Sequence, residues 1–228
     1  MNSQPLIRWA GLSTAAAGLC FTALGLLHPA NEFASITTTR WAIAHGLAIT
    51  MALTGLAGLA GLHARQAQTT GWLGLAGYGL MSLWLVLMFP FAFFEALILP
   101  LLATQAPAVA AAFVGMFTNT PSAVDLGLLP ALWSFSDILF LIGGLVLGIA
   151  TFRAGTLSRW AAGLFTAGIA AAPIFGSLLP PAFEPLVAVP IGLGLAWLGW
   201  ALWSERHAPA AQPAQGWEEP QRRRAGAQ

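Results

Sequence analysis

Residues 41–62 read WAIAHGLAITMALTGLAGLAGL, a run without Asp, Glu, Lys or Arg in which His45 is the single ionisable side chain. A helix rises about 1.5 Å per residue, so about 20 apolar residues cross the roughly 30 Å hydrocarbon core of a bilayer. The run is therefore long and apolar enough to predict a transmembrane helix.

The rest of the chain has the same character. Of its 228 residues, 57% are hydrophobic and 7% are charged, whereas a soluble domain carries about 25% charged residues. So few charges exclude a soluble enzyme, a nucleic-acid binder and a disordered chain, and the net charge of +1 gives no attraction to nucleic acid. The only cysteine, Cys20, excludes a disulfide framework. We predict an all-α, polytopic membrane helix bundle whose partner is the lipid bilayer.

Six runs of suitable length predict six transmembrane helices within residues 1–204, namely 7–27, 41–62, 72–99, 128–151, 160–179 and 186–203. Residues 107–116 are apolar but too few to span, and we expect them to form a helix that caps the outer face. Residues 205–228 are rich in Pro, Gln, Ala and Arg and are predicted to be a disordered cytoplasmic tail.

The arginines set the orientation. With both termini in the cytoplasm, only Arg40 falls on an outer segment, and eight arginines fall on inner ones: Arg8, Arg65, Arg153, Arg159, Arg206, Arg222, Arg223 and Arg224. The positive-inside bias thus predicts a multi-pass topology with both termini in the cytoplasm. All nine basic residues are Arg, which suits a GC-rich bacterial genome, so we expect a bacterial inner (plasma) membrane. Tryptophan prefers the headgroup zone, and it recurs at the predicted inner boundary (Trp9, Trp72, Trp160 and Trp203) and at the outer one (Trp41 and Trp133).

Two predicted helices open alike, as Arg8-Trp9-Ala10-Gly11-Leu12 and Arg159-Trp160-Ala161-Ala162-Gly163-Leu164. Such echoes favour hairpins repeated in parallel orientation, although each inner boundary could equally select an Arg and a Trp independently. In these Arg-Trp openings, the part of the chain from about 5 to 204 resembles uncharacterised six-helix bacterial integral membrane proteins. The resemblance implies a plasma-membrane bundle and carries over no functional residue. A homo-oligomer and a larger membrane complex both remain open.

Ionisable side chains at membrane depth are costly and therefore point to function. Three of them, His45, Glu95 and Asp137, fall in the outer halves of the second, third and fourth predicted helices. If they converge, they could bind a cationic solute, pass a proton or hold a divalent metal; His45 and Asp137 would then lie within about 10 Å, facing the bundle interior. The alternative is that Asp137 pairs with His45 or Arg40 and only fixes helix packing, with Glu95 wetted at the surface.

Further polar residues on the outer face are His28, Glu32 and Arg40. His28 and His45 are the one pair that could serve as axial haem ligands, and no His-x3-His spacing supports a metal site. We therefore predict no cofactor, with haem and a divalent metal as minor alternatives.

Glycine and proline also follow patterns. Gly11, Gly18 and Gly25 recur every seven residues and predict a helix-packing seam, as does the pair Gly144 and Gly148. Prolines lie inside three predicted helices, at Pro90, Pro173 and Pro190, and we expect Pro90 to interrupt its helix.

Three functions fit these observations. The first is a non-catalytic structural, sensing or accessory membrane subunit, since no catalytic motif is present. The second is a small transporter or permease with an outward-facing site of His45, Glu95 and Asp137. The third is a membrane redox or metal-binding enzyme.

Overall fold

The structure is a computed structural model that describes residues 4–180 and 183–205. Within these residues it contains helices and no strand, so the all-α prediction is confirmed. Apart from Glu205, the predicted tail lies outside the described residues. The helices are α1 (Gln4–Leu27), α2 (Thr39–Phe93), α3 (Leu99–Gln105), α4 (Pro107–Phe117), α5 (Leu129–Ala154), α6 (Arg159–Leu178) and α7 (Ala188–Ser204). Two 3₁₀ turns, Phe33–Ser35 and Glu184–Val187, and a π-helical turn, Phe94–Ile98, complete the elements.

Across the described ranges, five helices are long and apolar enough to cross a membrane: Pro5–Leu27, Thr39–Gln105, Leu129–Ala154, Arg159–Leu178 and Glu184–Ser204. Thr39–Gln105 has 67 residues, about three times the length that one span needs. It breaks at Gly71, whose φ of 54° and ψ of −140° form a backbone conformation that residues with a Cβ rarely adopt. The break divides α2 into a first arm (39–70) and a second arm (72–93).

The two arms of α2 fold back against each other. The His63 ring stacks on the Tyr78 ring with their centroids 4.8 Å apart, and a Cβ on Gly55 would lie 2.9 Å from Leu85 Cδ1. The arms therefore correspond to the second and third predicted spans, although the helical run continues to Gln105, beyond the predicted end at 99.

The six long helical segments form a closed ring. Helix α1 packs between α7 and the first arm of α2, the second arm packs against α5, and α6 lies between α5 and α7. Helices α1 and α7 are antiparallel, since Gly11 faces Trp203 and Gly18 faces Ala196. The beginning of α1 and the end of α7 consequently share one end of the ring.

We call this end of the ring the arginine end. There the Arg8 guanidinium carbon lies 5.8 Å from the centroid of the Trp203 ring, and Arg65 Nε lies 2.7 Å from Glu205 Oε2. Gln66 Nε2 donates a hydrogen bond of 2.9 Å to Thr151 Oγ1 and joins the first arm to α5. Among the described residues, the bundle thus gathers at one end four of the arginines that the sequence predicts to share one side: Arg8, Arg65, Arg153 and Arg159.

Glycines form the seams of the ring, as predicted. A Cβ on Gly11 would lie 2.7 Å from the Trp203 amide nitrogen, and one on Gly25 would lie 2.8 Å from the Pro185 carbonyl oxygen. Between α5 and α6, Gly144 faces Ile169. Without hydrophobic attraction between helices in lipid, such close backbone contact supplies the packing energy.

The prediction that Pro90 interrupts its helix is wrong. Helix α2 continues through Pro90 and ends at Phe93, and the irregularity is the π-helical turn that follows, Phe94–Ile98. Proline removes one backbone donor, and in membrane helices local 3₁₀ or π adjustments restore the remaining hydrogen bonds. The π-helical turn places Glu95 among buried residues.

Helix α4 covers the end of the ring opposite the arginine end, and it confirms the helix predicted over 107–116. Its Phe113 joins an apolar cluster with Trp41, Phe91 and Leu99. The Trp41 side chain is 0% exposed because this cluster encloses it, so the predicted contact of its indole ring with lipid headgroups does not occur. Large exposed surfaces remain on the predicted inner-boundary tryptophans Trp9, Trp72 and Trp160.

Candidate functional site

A cavity of about 440 Å³ opens into the ring at the end opposite the arginine end, and we call it the vestibule. Its lining comes from α1, the second arm of α2, α5, α6 and α7, together with residues 28–32 and the end of α4. Since those five segments are successive members of the ring, the vestibule lies inside the bundle rather than on its outer surface.

Aromatic rings form the floor of the vestibule. The Phe21 ring lies 6.2 Å from the Trp84 ring and 5.9 Å from the Phe140 ring, centroid to centroid, and the Trp84 and Phe140 centroids are 4.6 Å apart. Beneath them the axis of the ring holds an apolar space of only about 20 Å³. The vestibule is therefore closed toward the arginine end.

Three carboxylates line the vestibule: Glu32 from the loop after α1, Asp137 from α5 and Glu184 from the 3₁₀ turn before α7. All three side chains are exposed, and within the described residues none forms an ion pair. Arg40 forms no ion pair with them, and its Nε donates a 2.6 Å hydrogen bond to the Leu27 carbonyl oxygen at the end of α1. Three carboxylates thus line the vestibule, and among the described residues Arg40 is the one arginine at this end of the ring.

A smaller pocket of about 110 Å³ adjoins the vestibule and shares six of its lining residues, His28 and Trp133 among them. His45 and Glu95 line this pocket, and they are 2% and 8% exposed. His45 Nε2 lies 3.4 Å from Glu95 Oε2. The pair therefore joins the start of α2 to the π-helical turn.

Backbone groups fix the two imidazoles of this pocket. His45 Nδ1 lies 2.8 Å from the Trp41 carbonyl oxygen, and His28 Nδ1 lies 2.7 Å from the Pro29 carbonyl oxygen. A carbonyl can only accept, so both Nδ1 atoms carry a proton and donate it. Trp41 Nε1 in turn donates to the Glu95 carbonyl oxygen over 2.8 Å. These contacts hold His28, His45 and Glu95 in one arrangement, which we call the imidazole cluster.

His28 follows the last residue of α1, and its ring centroid lies 5.1 Å from that of His45. Burial lowers the pKa of His28 to about 4, and the charges of His45 and Arg40 act in the same direction. His28 is accordingly neutral at pH 7. Since its folded pKa lies below the ordinary value of about 6.5, its contribution to stability is present above pH 6.5 and is lost as the pH falls toward 4.

The predicted site residues thus divide between two neighbouring cavities. His45 and Glu95 are in contact in the side pocket, which rules out a wetted Glu95, and Asp137 lines the vestibule beside it. In the described part of the chain, no hydrogen bond or ion pair joins Asp137 to His45 or Arg40. No group of three or more His, Cys, Asp or Glu side chains in those ranges is arranged to hold a metal ion.

Sequence reasoning missed Glu184 and the aromatic floor as parts of a site. Glu184 lies on a short turn between two prolines, so its depth in the membrane cannot be counted along a predicted helix. In the sequence, Phe21, Trp84 and Phe140 resemble ordinary lipid-facing or core residues. Only the closure of the ring brings them together.

No family model, no curated protein and no solved structure matches this chain.

Proposed function

We propose that this chain is a six-span protein of a bacterial inner membrane, with both termini in the cytoplasm, that binds a small organic cation in an outward-facing vestibule and acts as a small transporter or permease. One observation carries the proposal: three carboxylates without a basic partner in the described residues surround a cavity with an aromatic floor. The vestibule volume of about 440 Å³ is within the range of small-molecule sites.

The lining favours an organic cation over other solutes. Carboxylates repel anions and attract cations, and the faces of Trp and Phe rings attract an ammonium group that has shed water. Trp84 and Trp133 line the vestibule beside Asp137. A quaternary ammonium ion can contact these rings with its methyl groups while its charge is balanced by the carboxylates. This combination suits a compound such as choline.

The charge distribution supports an outward-facing vestibule. Of the five arginines among the described residues, all but Arg40 lie at the opposite end of the ring, and the positive-inside bias assigns that end to the cytoplasm. There the Gln66–Thr151 hydrogen bond and the Arg65–Glu205 pair hold the helices together. An arrangement open on one side and closed on the other is one of the two states that alternating access requires.

The proposal is tested by calorimetric titration of the purified full-length protein in nanodiscs with choline and with 3,3-dimethyl-1-butanol, its uncharged isostere. We expect choline to bind at least about tenfold more tightly, since charge balance and cation–π contact each contribute about 1 kcal/mol or more. Equal affinity for the two compounds, or no choline binding, contradicts the proposal.

Uptake of labelled choline into proteoliposomes then separates transport from the other functions. Saturable uptake supports a transporter or permease. Choline binding without uptake assigns the vestibule to a sensing or accessory membrane subunit instead.

A further inference from the structure

The contact between His45 and Glu95 requires a proton. Because His45 Nδ1 donates to the Trp41 carbonyl oxygen, a neutral His45 presents a bare lone pair at Nε2, 3.4 Å from Glu95 Oε2. A bare imidazole nitrogen and an ionised carboxylate are both acceptors and repel each other. Both groups are nearly inaccessible to water, so the repulsion is poorly screened. A proton on Nε2 turns this repulsion into attraction between an imidazolium and a carboxylate.

We propose that the imidazole cluster of His28, His45 and Glu95 is a proton-binding site, and that its proton occupancy opposes cation binding in the vestibule. The second half rests on the proposed function, whereas the first half stands on the cluster geometry alone. The proton is held at His45 Nε2 and leaves by breaking that N–H bond, passing to water in the side pocket without any redox change. The pair is then neutral with one proton and carries one negative charge without it.

The charged and titratable groups around His45 come from every element packed on the side pocket. His28 follows α1, Arg40 stands at the start of α2, Glu95 belongs to the π-helical turn, and Asp137 lies on α5 and lines the adjoining vestibule. Arg40 is held at the carbonyl oxygens that end α1. Burial keeps the pKa of His28 near 4, so His28 itself holds no additional proton at neutral pH.

Coupling to the vestibule follows from the shared lining. His28 borders both cavities, so charge on the cluster acts on an ion in the vestibule across one side chain rather than through bulk water. A bound cation favours the deprotonated, negative pair, and the protonated pair attracts the cation less. Linkage makes the effect reciprocal, so lower pH weakens cation binding and cation binding releases the proton.

The proton site is tested by ¹⁵N NMR of the histidine-labelled full-length protein in nanodiscs between pH 4.5 and 9. His63→Gln and His207→Gln remove the signals of the histidines outside the cluster. We expect His45 Nδ1 to stay protonated across this pH range while Nε2 titrates. In Glu95→Gln the titration midpoint of Nε2 should fall by at least one pH unit, because the Gln amide donates a hydrogen bond to the unprotonated Nε2 and stabilises the neutral imidazole.

A control and a second measurement keep this test decisive. Glu205→Gln makes the same chemical change at the arginine end and should leave the His45 titration as in the wild type. A His45 midpoint that Glu95→Gln does not move overturns the proton site. If Glu95→Gln does not fold, the wild-type spectrum tests the proton site by itself. A His45 Nε2 shift at pH 6 that is typical of an unprotonated nitrogen without a hydrogen bond also overturns the proton site.

The coupling is tested by the choline affinity at pH 6 and pH 8. We expect choline to bind at least about fivefold more weakly at pH 6 than at pH 8 in the wild type and in Glu205→Gln. In Glu95→Gln the ratio of the two affinities should be clearly smaller. An equal ratio in all three proteins overturns the coupling. If choline binds at no pH, the proposed function and the coupling both fail, and the histidine titration still decides the proton site.

Discussion

Gly18→Ala is expected to destabilise the bundle by about 2 to 3 kcal/mol, the largest effect of any single methyl group on α1. The new Cβ would collide with the Ala196 amide nitrogen and lie 2.5 Å from the Gly192 carbonyl oxygen. These obstacles are backbone atoms of α7, which cannot rotate away as a side chain does. Helices α1 and α7 would have to separate and lose contact along the whole seam. The loss is measured as a lowered midpoint of denaturation in detergent.

Gly79→Ala is the matched control for this prediction. It adds the same methyl group to the second arm of α2, where nothing lies within 4 Å of the new Cβ. Alanine is the better helix former, so we expect no loss of stability and a gain of up to about 1 kcal/mol. Comparable destabilisation by the two substitutions would contradict the packing of α1 on α7 described above.

Asp137→Asn is expected to weaken choline binding about 10- to 100-fold with the fold intact, which corresponds to about 1.4 to 2.8 kcal/mol. The amide preserves the volume of the side chain and removes one of the three carboxylates of the vestibule. No described residue forms an ion pair with Asp137, so the substitution breaks no such contact in the bundle. Calorimetric titration with choline gives the affinity, and the denaturation midpoint verifies the fold.

Asp125→Asn is the control for Asp137→Asn. Asp125 lies in the loop between α4 and α5, where its Oδ1 accepts a hydrogen bond from the Gly127 amide, and it does not line the vestibule. We expect wild-type choline affinity for this variant. Wild-type affinity for Asp137→Asn as well would remove Asp137 from the site.

Much of the helix bundle can be predicted from the sequence, because a lipid environment restricts which residues a membrane-spanning helix can contain. Lipid requires about 20 apolar residues for each crossing, and this requirement located both ends of α1, α5, α6 and α7 to within three residues. It placed the arms of α2 less well, because the first arm continues to residue 70 and the helical run of the second continues to Gln105. The seven-residue spacing of Gly11, Gly18 and Gly25 predicted a seam that α7 indeed fills. The cost of charge at membrane depth singled out His45 and Glu95, which are in contact.

Other features depend on tertiary contacts that no local pattern carries. The burial of Trp41 results from the fold of α4 over the end of the ring, 66 and more residues later in the chain. The π-helical turn that follows Pro90 has no sequence signature of its own, although it places Glu95 opposite His45. Glu184 enters the vestibule only because α7 returns beside α1. The parallel-hairpin repeat stays a prediction.

The central claim is that the vestibule opens to the outside of the cell, and cysteine labelling tests it most directly. Ala172→Cys, made in a Cys20→Ala background, places a thiol on the vestibule wall. Gln68→Cys is the control, exposed at the arginine end beside the Gly71 break. We predict that a membrane-impermeant maleimide labels Ala172→Cys in spheroplasts and labels Gln68→Cys only in inverted vesicles. Labelling of Ala172→Cys only in inverted vesicles would contradict the account.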